Sequence, residues 1–198
     1  MRSSLATDVR GAALTEFGLL LPVLAMLLLG SLDMGHRAYA RVVLDGALQK
    51  AARDSALEGG NAPAKQAQVD ARLLDTARDL HNGATVTTTR LSYRTFADAA
   101  RRHEPYTDTN GNGQCDNGEP FTDVIVNNSF DADIGRAGQG GAQDVVVFTS
   151  TMTYPAIMPV RGLLGLSDTV SITATAVVRN QPYNDQGANG TAGTGNCT

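Results

Sequence analysis

The stretch DTNGNGQCDNGE, from Asp108 to Glu119, sets carboxylate and carboxamide side chains at alternate places around a glycine-rich turn. Asp108, Asn110 and Asn112 stand at the first, third and fifth places, and Gly113 follows where the chain must turn sharply. Gln114 offers a backbone carbonyl at the seventh place, Asp116 a carboxylate at the ninth and Glu119 a bidentate carboxylate at the twelfth. Oxygens at this spacing wrap around one point, which suits a calcium ion seeking about six to eight hard ligands. The plainer alternative is an Asn/Gly/Asp turn that binds nothing, since these residues also serve turns for backbone reasons. The full pattern is more demanding than that composition and favours calcium.

The flanks of this loop depart from an EF-hand. Pro105 precedes it, Pro120 follows Glu119 at once, and the strand-like FTDVIV comes next in place of an exiting helix. A single loop with no partner and no Met-rich groove reads as a structural calcium site and not as a sensor. Amides at the third and fifth places predict weak binding, on the order of 10⁻⁴–10⁻³ M. Cys115 lies inside the loop and Cys197 close to the chain end, so no CxxC pair exists to make a zinc site. Outside the cytoplasm a Cys115–Cys197 disulfide is expected. It would close roughly eighty residues, stabilise by roughly 4–5 kcal/mol before strain, and pin the tail beside the loop; free thiols are the alternative.

A second chemical oddity is Glu16. It stands near the start of RGAALTEFGLLLPVLAMLLLGSL, Arg10 to Leu32, whose residues from Phe17 onwards are uncharged and almost wholly apolar. A carboxylate at the edge of hydrocarbon is costly and is a functional suspect. As a helix, Phe17 to Leu32 spans about 24 Å, short of a bilayer core of roughly 30 Å; starting at Ala12 gives about 31 Å, which fits and brings Glu16 with it. A cleaved secretory signal would use Ala38-Tyr39-Ala40, but Asp33, His36 and Arg37 intervene. A plain signal anchor would leave Glu16 merely snorkelling to the interface. A cut after Gly11 explains more. It creates an ammonium at Ala12, one helical turn from Glu16, and the Glu16 of one subunit then pairs with the Ala12 terminus of a neighbour, offsetting the burial of both charges and setting the axial register. The carboxylate is in that case an assembly device.

These residues carry a resemblance. Gly11, then Ala12-Ala13-Leu14-Thr15, then Glu16-Phe17 resembles the processing site of Flp/Tad-type prepilins, and the longer RGAALTEFGLLLPVLAMLLLGSLDMGHRAYA is similar to the N-terminus of TadE-like pseudopilins. The resemblance implies cleavage by a prepilin peptidase in the bacterial inner membrane. It also implies a minor pilin role in a type IV-related Tad pilus, with other pilin subunits and the inner-membrane assembly platform as partners. The chain is far longer than a major Flp pilin, which favours a minor component. Placing the short leader in the cytoplasm puts the C-terminal body outside the inner membrane, and then in the pilus or at the cell surface.

The elements that must position these residues follow from periodicity. Tyr39, Val42, Val43, Ala47, Leu48, Ala51 and Ala52 continue the helix past the membrane, with Pro22 predicting a kink and Gly59-Gly60 a stop. Pro63 to Leu80 reads as a second amphipathic helix with Val69, Leu73, Ala77 and Leu80 as its stripe. The period then changes to two over Ala84–Arg94, Gln143–Tyr154 and Thr169–Arg179, with a shorter strand in Phe121–Val126. Between the last long strands, Pro155 to Leu166 is apolar. Its exposed face has a membrane or another subunit as candidate partners, but Leu163, Leu164 and Leu166 are expected to complete the core. The fold class is therefore α+β: a long kinked membrane-spanning helix, a second helix, then a largely antiparallel sheet bearing a long calcium-type loop. The organisation reads as a leader over 1–11, the long helix over 12–58, an extracytoplasmic domain over 59–180 with a loop insertion at 97–141, and a flexible Gly/Asn/Thr-rich tail over 181–198.

The totals exclude several classes. A formal charge of −4 with no basic block argues against nucleic acid. His36, His81 and His103 are scattered, no catalytic or nucleotide motif occurs, and Gly138-Gln139-Gly140-Gly141 lacks the strand–loop–helix setting of a phosphate cradle. Arg101-Arg102-His103 reads as a solvated charge run. The chain is expected not to be an enzyme. Against the minor pilin stands one other class, an uncleaved membrane-anchored domain that binds or adheres through calcium.

Overall fold

Apolar residues from Phe17 to Leu32 run on into the i, i+4 spacing of Ala40, Leu44 and Leu48, and the chain forms one helix, α1, over Arg10–Ser55, with Pro22 inside it. The computed structural model describes residues 10–57, 59–158, 160–163, 165, 167–181 and 191–198. The two halves of α1 differ in what covers them. Leu14, Phe17, Leu19, Leu20 and the residues that follow to Leu32 are largely exposed, whereas Ala40, Leu44, Leu48, Ala51 and Ala52 are buried. Length and composition qualify the helix to cross a membrane.

Helix α2 (Pro63–Leu80) takes proline in its first turn, where the missing N–H costs nothing, and buries Val69, Leu73 and Ala77 against α1. It ends at His81, whose N–H donates to the Ala77 carbonyl at 3.0 Å. Four antiparallel strands follow in the order β3-β1-β4-β5: β1 (Thr85–Tyr93), β3 (Arg136–Ala137), β4 (Val145–Pro155) and β5 (Thr169–Arg179). Strict alternation along β5 turns Val170, Ile172, Ala174 and Ala176 towards α1. From the central strand β4, Val146, Phe148 and Met152 enter the same core, while Val147 faces the other side and packs with Tyr93 and Ile134. This α+β layering of two helices on an antiparallel sheet matches the periodicity of the sequence.

Two polar devices lock the layers. The guanidinium of Arg90 on β1, 8 % exposed, pairs with Asp70 on α2 (Nη1 to Oδ2, 3.2 Å) and lies 5.1 Å from the Phe148 ring centroid. At the end of α1, the buried Gln139 amide donates to the Ser55 carbonyl at 3.1 Å and to Asn180 Oδ1 at 2.9 Å, satisfying a carbonyl of the last helical turn. The Gly138–Gly141 segment thus serves as a cap for the long helix.

The segment 97–141 holds more regular structure than its composition suggests. Helix α3 (Phe96–Arg101) is capped by Thr95, whose hydroxyl accepts from the Asp98 N–H at 3.1 Å. Strand β2 (Pro120–Asp123) pairs antiparallel with β6 (Gly193–Asn196). That pairing corrects the expectation of a flexible tail for its last residues: Cys197 is buried and β6 is in register with β2. The composition misled because Gly195 is there for proximity. A Cβ on it would stand 2.5 Å from Phe121 Cζ, so glycine is what lets the strand lie on that ring. The β4–β5 connection carries a short helix, α4 (Val160–Leu163). Leu164, Leu166 and the side chain of Leu163 lie outside the described residues, so their expected place in the core is not on view.

Candidate functional site

The N-terminal site is built on the first turns of α1. Gly11, Ala12, Glu16 and Phe17 are all in the helix and all exposed, Phe17 at 55 %. Thr15 turns its hydroxyl back to the Ala12 carbonyl at 2.8 Å, so it consumes its own polarity within the helix. Ala12 and Glu16, four residues apart, share a face one above the other. Among the described residues nothing covers that face.

The loop from Asp108 to Glu119 is shaped by its own side chains. Asp108 Oδ1 accepts from the N–H groups of Gly111 (2.7 Å) and Asn112 (3.2 Å), and Oδ2 accepts from Gly113 (2.7 Å). These amides, that of Gly113 foremost, hold the Asp108 carboxyl below the usual carboxylate range against the opposing effect of desolvation. Gly113 has φ +76°, the left-handed conformation that the sixth place demands. Asn110 and Asn112 accept at their Oδ1 atoms from the N–H groups of Asn112 (3.0 Å) and Gln114 (2.8 Å). Glu119 folds back over the loop, taking the Thr109 N–H at 2.7 Å and the Asp116 N–H at 3.0 Å. Burial raises the pKa of the nearby Tyr106 phenol, with the charges of Asp108, Glu119 and Asp116 adding to the rise in that order.

The side chains of this loop carry hard oxygen donors, and in this structure they are engaged in hydrogen bonds within the loop. The carboxamides are set for hydrogen bonding: Asn110 and Asn112 present their Nδ2 groups to Asp116 Oδ2 at 2.7 and 2.6 Å. Among the described residues no group of three or more His, Cys, Asp or Glu side chains is arranged to hold a metal ion. Cys115 and Cys197 are brought together with Cα atoms 5.7 Å apart, a separation that a disulfide spans.

Sequence reasoning missed the support under this loop. Glu104 is fully buried, and its Oε1 accepts from the N–H groups of Val124 (2.6 Å) and Ile125 (3.2 Å) while Oε2 accepts from Asp131 (3.2 Å). Asp123 organises the same turn through the N–H groups of Asn127 (3.1 Å) and Asn128 (2.8 Å). Together they hold Val126, a β-branched residue, at φ +60°. Phe130 stacks edge-on to Tyr106 and Phe121, with centroids 5.4 and 5.8 Å apart, which gives the insertion a small aromatic core of its own. The Asp123–Asn127–Asn128 spacing is a local turn signal. Glu104 has no such signal, because its partners lie 20 to 27 residues away.

Comparison with known proteins bears on the first of these sites. Residues 11–53 match the model of the TadE-like protein family. No curated protein and no solved structure matches the chain. The matched segment coincides with α1, from the glycine before Ala12 to the last turns buried on the sheet. The family match and the exposed apolar helix together suggest membrane anchoring and an association with a Tad pilus. Through its long N-terminal helix, residues 11–53, this chain is similar to the TadE-like protein family.

Proposed function

We propose that the chain is a minor pilin or pseudopilin of a Tad-type pilus, cut after Gly11 by a prepilin peptidase. In this reading it is held in the bacterial inner membrane by α1 with its α+β domain outside the cytoplasm. From there it joins other pilin subunits through the assembly platform and reaches the pilus or the cell surface. The observation that carries the reading is the coincidence of the TadE-like match with a helix whose first half is largely apolar and exposed among the described residues. In a bundle of such helices the Ala12 ammonium of one subunit and Glu16 of the next neutralise each other, which offsets two desolvation penalties that neither charge escapes alone. The Asp108–Glu119 loop is the structural element of the outer domain. Calcium there, held by Asp108, Asn110, Asn112, the Gln114 carbonyl, Asp116 and Glu119, would supply positive charge that draws the carboxylates together, with Asn110 and Asn112 turning their oxygens inward. The rigid tab so formed, closed by a Cys115–Cys197 disulfide, offers an inter-subunit or adhesive surface.

Glu16→Gln tests the assembly role. The exchange keeps shape and removes charge, so the variant should accumulate in the membrane and be lost from sheared pili. Normal incorporation of the variant into pili would remove Glu16 from the account.

A further inference from the structure

The polar end of the membrane run is tied to a second element. Asp33 follows directly on Leu32, and its Oδ2 is held by Arg37 at 2.8 Å and approached by Arg161 Nη1 at 3.6 Å. Arg161 belongs to α4 in the β4–β5 connection, and its Nε donates to the Ser167 carbonyl at 2.7 Å, bracing that connection from within. The side chains of Arg161 and Asp33 are 11 % and 14 % exposed, so this is a sheltered contact that sets the height of the connection along α1.

That height can be read against the bilayer. From Ala12 to Leu32 α1 covers about 31 Å, the thickness of the hydrocarbon core, so Asp33 stands at its boundary and Arg161 stands beside it. Leu29, one turn below Asp33 on the same helix face, is half-buried while Leu28 and Leu32 are exposed. The connection is chemically fit for that depth. Its sequence from Pro155 to Leu166, PAIMPVRGLLGL, has Arg161 as its single charged residue, and Ile157 is 45 % exposed.

We propose that the β4–β5 connection is a second membrane contact, seated in the interfacial layer of the bilayer that α1 crosses, with the Asp33–Arg161 pair fixing its depth. The inference rests on α1 being the membrane anchor. A connection of apolar sequence whose one cation is already paired enters the boundary between headgroups and acyl chains with little charge to desolvate. Arg37 and Arg161 together exceed Asp33 by one positive charge, which suits the phosphate level. Two attachments, unlike one, stop the domain from swinging about α1.

The absence of tryptophan makes the test clean. Ile157→Trp, Leu20→Trp and Val177→Trp are each made in the full chain and reconstituted in phosphatidylcholine–phosphatidylglycerol vesicles, with and without lipid brominated near the top of the acyl chains. Leu20→Trp reports the anchor, and the exposed Val177, near the far end of β5, reports solvent. The expected result is loss of emission for Leu20→Trp and Ile157→Trp on bromination and no change for Val177→Trp. Quenching of Leu20→Trp alone overturns the inference and leaves the anchor intact; quenching of neither overturns both. A blue-shifted but unquenched Ile157→Trp places the tip against protein and also overturns it. Adding Arg161→Gln to Ile157→Trp should reduce the quenching, and unchanged quenching removes the ion pair as the depth setter.

Discussion

The backbone N–H of Cys197 donates to the carbonyl of Glu119 at 2.8 Å, and Gly118 returns the bond to the carbonyl of Cys197 at 2.9 Å. The residue next to the chain end is thus clamped to the carboxylate-bearing residue that closes the Asp108 loop. The β2–β6 ladder, the cysteine pair and Phe121 under Gly195 adjoin this point.

Beside the clamp, a Cys115–Cys197 bond would add stability. A bond across 82 residues of separation restricts the unfolded chain by about 4.5 kcal/mol on the loop-entropy model. Cys197→Ser should therefore lower the unfolding free energy by several kcal/mol in chemical denaturation and expose the β2–β6 amides to hydrogen exchange. Equal stability with and without reductant in the unaltered protein would show that the thiols are not bonded.

Calcium should stabilise the outer domain by mass action. At about a hundred times the dissociation constant the gain is about 2.7 kcal/mol, which calorimetry detects as a rise in Tm reversed by chelator. Asp108→Ala should abolish that rise, because it removes the residue that gathers the Gly111, Asn112 and Gly113 amides. A melting curve indifferent to calcium and chelator would leave the loop a hydrogen-bonded turn.

Anchoring of the domain on the long helix rests on a few side chains. Leu48 is fully buried in the core that α1 shares with α2 and the sheet, so Leu48→Ala should cost about 2–5 kcal/mol. Leu20→Ala, on the exposed half, should leave the unfolding of the outer domain unchanged in detergent. Equal losses at the two positions would contradict the division of α1 into a membrane half and a core half.

What the sequence made legible follows from periodicity. Pro63–Leu80 and Thr169–Arg179 coincide with α2 and β5 because one carries a 3.6-residue stripe and the other alternates strictly, so local pattern and tertiary burial agree. Glu104, Gln139 and Arg90 stayed hidden for the opposite reason. Each is a polar residue whose burial is decided by a partner far along the chain, such as Ser55 for Gln139, and no local rule marks it. Strand β6 was missed because its glycines lower strand propensity while allowing the close approach to Phe121. In the N-terminal segment, by contrast, Gly11 and Glu16–Phe17 stand out without any tertiary context.

The Tyr93 phenol supplies a pH signature. Its pKa is pushed up from 10.0 to about 12, first by burial, then by its hydrogen bond to Asp133 Oδ1 (2.8 Å) and by that carboxylate's charge, with Arg102 opposing. Below pH 10 the phenol is protonated in folded and unfolded chains alike, and its contribution is complete. Between pH 10 and 12 the unfolded chain releases this proton more readily, so stability falls as pH rises. Tyr93→Phe should flatten that part of the stability profile; an unchanged decline would assign it to other groups.

The central claim is that a cut after Gly11 creates the Ala12 ammonium that Glu16 of a neighbouring subunit neutralises. Intact mass and N-terminal peptide analysis of the protein isolated from its native envelope tests it most directly. The account predicts a chain beginning at Ala12. A chain that still begins at Met1 would contradict it and would leave an anchored, uncleaved binding domain.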